Sequence, residues 1–221
     1  MENQENEIQV DKEHIFKIVL IGDTGVGKSC IIHRFIQNTF EENFVSTMGS
    51  AYLKKKMHVQ KKGDFVLEIW DTAGQEKYRS ITKIFYKEAS AVIVVFDITR
   101  KETFESIVHF WYNELKENTP KETQIILVGN KNDLYEYEEG SVEDRKQFAD
   151  EKGITYITVS AKTGYNIQSL FETLAQTLAE KFPDVEDDEV KDDAKTSNIH
   201  NSSKLDMSIW NKPKPKKGCC S

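Results

Sequence analysis

The run Gly22, Asp23, Thr24, Gly25, Val26, Gly27, Lys28, Ser29 sets glycines, a lysine and a hydroxyl at the spacing G-x-x-x-x-G-K-[ST]. The glycines let successive backbone N–H groups point into one concavity, which is a receptor for an anion. A helix beginning where the loop ends adds its positive pole. Lys28 can reach the terminal phosphates of a nucleotide, and the Ser29 hydroxyl can ligate a magnesium ion. A plain glycine-rich turn would need no particular flanks. Here an apolar run, Ile18 to Ile21, enters the loop and an amphipathic stretch, Cys30 to Ile36, leaves it. That order of strand, loop and helix is the setting the chemistry requires.

Three further clusters each stand just past an apolar run. Asp71, Thr72, Ala73 and Gly74 follow the run that ends at Trp70. An acid at a strand end facing the phosphate loop can hold magnesium through a water, and the Gly74 N–H can meet a γ-phosphate oxygen. Asn130, Lys131, Asn132 and Asp133 follow Ile125–Gly129. A carboxylate at Asp133 can accept from the ring N–H and the exocyclic amine of guanine. Adenine offers no such donor pair and would leave the acid unpaired, a mismatch that sites discriminate strongly. Lys131 can lie along the plane of the base. Ser160, Ala161 and Lys162 follow Ile154–Val159, where the Ala161 N–H can read the guanine O6. Taken singly, these clusters also read as a solvated turn after a strand. Their order, each at the carboxyl end of a strand, is where open α/β sheets bind ligands.

The elements that must position these residues alternate. Strand-length apolar runs recur at Ile15–Ile21, Phe65–Trp70, Ala91–Phe96, Ile125–Gly129 and Ile154–Val159. Helix-length amphipathic segments lie near 28–37, 101–118, 141–152 and 166–182. The alternation predicts an α/β domain with a mainly parallel sheet. Ala51–Val59 is a weaker strand, joined to Phe65–Trp70 through Lys61, Lys62, Gly63 and Asp64, so this pair is expected to be an antiparallel hairpin. The domain is expected over 12–182, after an N-terminal extension of residues 1–11 without ordered structure. Past Pro183 the acids Asp184, Glu186, Asp187, Asp188, Glu189, Asp192 and Asp193 cluster without apolar mass, so residues 183–221 are expected to be a disordered tail.

Composition narrows the function classes. The chain has 221 residues and a formal net charge of −7, which argues against a general nucleic-acid binder. Two of its three cysteines sit at the very end, so a disulfide scaffold is not expected and a reducing compartment fits. Met1 to His14 shows no signal-peptide core, and the apolar run Ala91 to Phe96 is too short to span a bilayer.

Together the four motifs make residues 12–182 resemble the small GTPases of the Ras superfamily. Trp70 to Glu76, Lys77 to Thr82, Phe85 to Ala89 and Val95 to Thr99 resemble segments of its Rab branch, which recruits effectors to membranes in vesicular traffic. Ser46 to Tyr52 resembles the early-endosomal Rab subgroup more than the secretory one. The resemblance implies a P-loop fold with a six-stranded, mostly parallel sheet, one antiparallel pair and flanking helices. It implies GDP/GTP cycling with Mg2+ as cofactor. Asp23 to Cys30 would surround the phosphates, and Phe40 would pack on the guanine. Thr47 would ligate magnesium and sense the γ-phosphate. Asp71, Gly74 and Gln75 would form a second switch, with Gln75 orienting the attacking water. Lys28, Thr47 and Gln75 are thus the expected catalytic set, and Ser29, Thr47 and Asp71 the expected metal set. Tyr52, Trp70 and Phe85 occupy the positions of an effector-reading aromatic triad, next to Met48 and Gly49. The family more often has Phe first and Tyr third, so the hydroxyls are moved.

The C-terminus carries the remaining signal. Lys212, Lys214, Lys216 and Lys217 precede Gly218, Cys219, Cys220 and Ser221. A single residue after Cys220 excludes a C-a-a-X box. The ending resembles the Rab double-cysteine motif, which implies geranylgeranylation of both thiols. Two lipid chains anchor stably where one does not, and lysines add attraction to an acidic leaflet. Met207, Ser208 and Ile209 resemble the hook gripped by Rab escort protein and GDP-dissociation inhibitor. Further partners implied are an exchange factor, a GTPase-activating protein and effectors. The expected location is the cytosolic face of intracellular membranes, endosomes among them, with a cytosolic pool of monomer. Two classes remain open on sequence alone: a switch enzyme, favoured by Gln75, and a nucleotide-holding adaptor that scarcely hydrolyses. Thr24 leans toward slow intrinsic turnover, standing where Ras proteins carry glycine. A P-loop ATPase or kinase is disfavoured by Asn130 to Asp133.

Overall fold

The computed structural model describes residues 14–41, 50–72 and 85–183. The chain divides into a unit Met1–Asp187 and a second unit, Asp188–Ser221, which lies outside the described residues. Six strands form one sheet in the order β2-β3-β1-β4-β5-β6. They are β1 (His14–Ile21), β2 (Ser50–Val59), β3 (Gly63–Thr72), β4 (Ala91–Asp97), β5 (Gln124–Asn130) and β6 (Thr155–Thr158). All pairs are parallel except β2 with β3, where Tyr52 stands opposite Trp70 and Val59 opposite Gly63. The hairpin read from Lys61 to Asp64 is therefore present, with Lys61 (φ 62) and Gly63 (φ 84) supplying the left-handed turn.

Strand β4 is buried along all seven residues, as expected of a central parallel strand covered on both faces. Val19, Ile21, Val92, Val94 and Phe96 share one cluster with Ile107, Trp111, Leu115 and Phe148. Helices set out in full among the described residues are α1 (Lys28–Gln37), α2, α3 (Val142–Lys152) and α4 (Ile167–Ala179). Segment α2 differs from a simple amphipathic helix over 101–118. It is α-helical over Lys101–Ser106, widens into a π-turn over Ile107–Trp111, and resumes as α-helix over Tyr112–Asn118. Helix α3 has a full set of ends: Ser141 accepts from the Asp144 N–H at 3.2 Å, and Gly153 closes the other end at φ 63.

Helices α1 and α4 pack on each other through Phe35 and Phe171, whose rings stack with centroids 3.8 Å apart. Among the described residues the last packed ring is that of Phe182. Its ring lies 4.3 Å from His14 and 5.4 Å from Phe65, and its carbonyl accepts from Lys62 Nζ at 2.6 Å. This ring packs against the start of β1. Phe171 is fully buried, so Phe171→Ala removes a whole aromatic ring from this contact. Urea unfolding of the nucleotide-saturated protein should show a loss of about 3–5 kcal/mol. A loss below about 1 kcal/mol would mean that the α1–α4 layer is not held by this stack.

Candidate functional site: a phosphate and guanine cradle at the strand ends

The loop Gly22–Gly27 sits between β1 and α1, at the β1–β4 junction where chain connections diverge to opposite sides of the sheet. That junction is the expected ligand crevice of an open parallel sheet. Two glycines are obligatory for close approach. Gly22 has φ +135, and a Cβ there would stand 2.1 Å from the Val95 carbonyl oxygen. Gly27 has φ +96, and a Cβ there would stand 2.3 Å from Asn130 Nδ2. Lys28 arches back over the loop, donating to the carbonyls of Gly22 (2.8 Å) and Asp23 (2.9 Å). The lysine is buried, and desolvation lowers its pKa to about 8 against the opposing pull of Asp71 and Asp23.

Three neighbouring strand ends complete the site. At the end of β3, Asp71 accepts from Ser29 Oγ at 2.5 Å, so a hydroxyl and a buried carboxylate already converge. At the end of β5, buried Asn130 donates to the Val26 carbonyl (2.8 Å) and accepts from the Ala161 N–H (3.1 Å). The Ala161 N–H expected to read the base is therefore engaged by Asn130, and a base oxygen would share it. Asp133 accepts from Ser160 Oγ at 2.5 Å, and the same oxygen of Ser160 accepts from the Thr163 N–H. The two segments expected to read the base are thereby tied. Lys131, at φ 68, begins the 3-10 turn Asn132–Tyr137 and carries its ammonium to Asp97 Oδ2 at 2.6 Å. The Lys162 carbonyl accepts from Arg34 at 2.6 Å, with the Lys162 side chain exposed.

Asp97, at the end of β4, is the acid the sequence reading passed over. Its carboxylate takes Lys131, Arg100 Nε (3.1 Å), the Thr99 N–H (3.0 Å) and the Thr99 hydroxyl (2.7 Å). Burial alone would raise its pKa, but the bonds from Lys131 and Thr99 outweigh burial and hold it below the usual carboxylate value. The strand-end logic that picked out Asp71 would have found it. Arg34 gave no such signal: it grips the Ala161 carbonyl (2.9 Å) from 127 residues away. Trp111 likewise donates to Asp23 Oδ1 at 2.9 Å across 88 residues.

Thr24 is exposed, and its carbonyl accepts from Arg100 at 3.1 Å. Gly25 and Val26 lie in the loop between Thr24 and Gly27, Val26 fully buried. Cys30 is half-buried, and burial followed by Asp71 pushes its thiol up. Phe40 is half-buried just past Asn38, which ends α1 in the left-handed region at φ 54. Tyr52 and Trp70 pack with centroids 5.0 Å apart, and Trp70 and Phe85 at 5.7 Å, so the expected aromatic triad is contiguous. Tyr52 is 42% exposed and donates its hydroxyl to Glu68 at 2.6 Å. Thr47, Met48, Gly49, Gly74, Gln75, Cys219 and Cys220 lie outside the described residues.

A sequence model of the Ras family matches residues 17–180. The chain belongs to the Ras family of small GTPases. It is 34% identical to the Ras-related protein RABA2a of Arabidopsis thaliana over 211 residues, 95% of each chain. It is 40% identical to the Ras-related protein SEC4 of Saccharomyces cerevisiae, over 76% of this chain and 77% of that one. It is 37% identical to the Ras-related protein Rab-1 of Theileria parva, over 76% of each. The protein is a Rab-like small GTPase: it binds guanine nucleotide, hydrolyses GTP and serves vesicular traffic. Its general partners are those of the family, namely exchange factors, activating proteins and effectors.

Lys28 makes the cradle pH-sensitive in a definite direction. Between about 8 and its ordinary value of 10.5, the unfolded chain keeps a proton that the folded one sheds. The nucleotide-free fold therefore gains stability as pH rises through that window. With Lys28 in its expected phosphate-binding role, nucleotide binding should run the other way, because the phosphates would need the ammonium. Affinity for GDP should be flat from about pH 6.5 to 7.5 and fall up to about tenfold per pH unit above 8. Competition with a fluorescent GDP analogue across this range checks it; a flat profile to pH 9.5 would show that Lys28 keeps its proton.

Proposed function

We propose that the chain is a GTP-timed recruiter in which one rigid cradle holds both nucleotide states and two loops read the γ-phosphate. The convergence of Ser29, Asp71, Lys28 and Asn130 on the phosphate loop carries this reading. Lys28 exchanges its two carbonyl partners for phosphate oxygens. The N–H groups from Asp23 to Cys30 supply the anion-binding concavity. Asp133 fixes guanine, with Phe40 and Lys131 on its faces and Ala161 and Lys162 at its edge. Thr47 and Gly74 sense the γ-phosphate, and Gln75 orients the attacking water.

The donor set fits Mg2+. Ser29 and Asp71 are hard oxygen donors already in contact, and among the described residues no group of three or more His, Cys, Asp or Glu side chains gathers. Such an ion would take its other ligands from Thr47, phosphates and water. When bound it supplies charge neutralisation to the phosphoryl group in transfer. Positioning and electrostatics suffice for this reaction class, and an activator acting in trans adds roughly 10³–10⁵ in rate.

The triad Tyr52, Trp70 and Phe85, with Met48 and Gly49, is the proposed effector surface. Residues 183–221 are the proposed tether, geranylgeranylated at Cys219 and Cys220 and handled by Rab escort protein and GDP-dissociation inhibitor. The proposed site of action is the cytosolic face of endosomal membranes, with a cytosolic pool of monomer.

Two measurements test this reading. Gln75→Leu should retain GDP and GTP affinity while lowering activator-free hydrolysis at least tenfold, read in single turnover; an unchanged rate would remove Gln75 from the reaction. Removing Cys219 to Ser221 should move the protein from the membrane to the soluble fraction of its own cells. Continued recovery with membranes would refute lipid anchoring at these thiols.

A further inference from the structure

The side chain of Asp23 is held from outside the phosphate loop. One oxygen, Oδ1, accepts from Ser106 Oγ at 3.0 Å and from Trp111 Nε1 at 2.9 Å. Both donors come from α2, and they are five residues apart. An α-helix turns about 100° per residue, so residues five apart point about 140° from one another. They meet here because the helix is widened between them. The π-turn Ile107–Trp111 closes with the Tyr112 N–H on the Ile107 carbonyl, a five-residue step. Trp111 is also locked, being 2% exposed within the cluster around Val94 and Leu115.

The same helical segment grips the next residue as well. Arg100, the residue that caps α2, donates to the Thr24 carbonyl at 3.1 Å while anchored on Asp97. Residues 23 and 24 are thus held side by side, one by its carboxylate and one by its main chain. The chemistry gives this grip a purpose. A carboxylate beside a loop that binds phosphates repels its ligand. Two donors on one oxygen draw that charge toward α2 and fix the peptide whose neighbouring N–H groups face the phosphates.

We infer that Trp111 and Ser106 are positioning residues for the nucleotide: through the π-turn they hold Asp23 off the phosphates and so set how slowly nucleotide leaves. The inference rests on the loop's binding of guanine nucleotide. It makes α2, which carries none of the binding motifs, a determinant of the lifetime of the bound state.

The test is release of a fluorescent GDP analogue from the full-length protein. Trp111→Phe keeps the ring and removes the N–H donor; release should quicken about five- to tenfold. In an Asp23→Ala background the same change should alter release by less than about 1.5-fold, because its acceptor is gone. A Trp111 that acts by packing alone would change release by the same factor in both backgrounds, and that result overturns the inference, as does an unchanged rate for Trp111→Phe. Should Asp23→Ala not fold, Ser106→Ala decides. It removes the second donor at a half-buried position, and release about threefold faster supports the inference while an unchanged rate overturns it. Failure of the wild-type protein to bind the analogue at all would instead strike at guanine binding itself.

Discussion

One carboxamide joins the parts of this site. Asn130 reaches from the end of β5 to the Val26 carbonyl in the phosphate loop and to the Ala161 N–H past β6. It is 2% exposed, so both of its bonds are made away from water, where an unmade bond costs most. Its packing against Gly27 is so close that no side chain fits between them. The loop proposed to bind phosphate and the segment proposed to read the base are therefore set relative to each other by a group that need not touch the ligand. The role suits asparagine: an amide is donor and acceptor at once, and neither aspartate nor leucine, of similar size, is both.

A second layer of charge supports that arrangement. Asp97 gathers Lys131 from the base side and Arg100 from the phosphate side onto one oxygen. The buried acid stays ionised because its donors outnumber the effect of burial. Around it, Arg145 shows the same solution in a structural role. The residue is 1% exposed, and its guanidinium pairs with Glu138 and the Glu139 carbonyl and lies 5.1 Å from the Phe96 ring. It pins the loop after the 3-10 turn to the core, and with it the exit of the base-reading segment.

The sheet and the loop were legible because their signals are local. Glycine at 22 and 27, the apolar run of β4 and the Lys61–Asp64 turn each declare themselves within a few residues, and the structure places them as read. The hairpin pairing followed from a short loop containing glycine. Strand β6 is shorter than the apolar run that announced it, Thr155–Thr158 against Ile154–Val159; at its start the Ile154 N–H bonds to the Ala149 carbonyl on α3, and at its end the Val159 N–H bonds to the Gly129 carbonyl. What the sequence did not display were side chains whose partners are remote. Nothing near Arg34 foretells the Ala161 and Lys162 carbonyls, and nothing near Trp111 foretells Asp23. The π-turn was invisible for a related reason. Its hydrophobic spacing departs from an α-helix by one residue, well inside the tolerance of a periodicity argument.

Helix α1 joins the two halves of the cradle. Its first turn holds Lys28 and Ser29 against the phosphate loop and Asp71, and its last turn holds Arg34 against the segment that follows β6. The helix is 10 residues long, about 15 Å, and its buried Ile31, Ile32 and Phe35 fix it to the core as a rigid rod. A rod that joins the proposed phosphate site at one end to the proposed base site at the other does not let either go alone. Displacing it loosens both ends in the same movement. On the proposed reading of the site, the nucleotide departs in one cooperative step rather than by successive loss of base and phosphates, and anything that pries at either end of α1 acts on the whole.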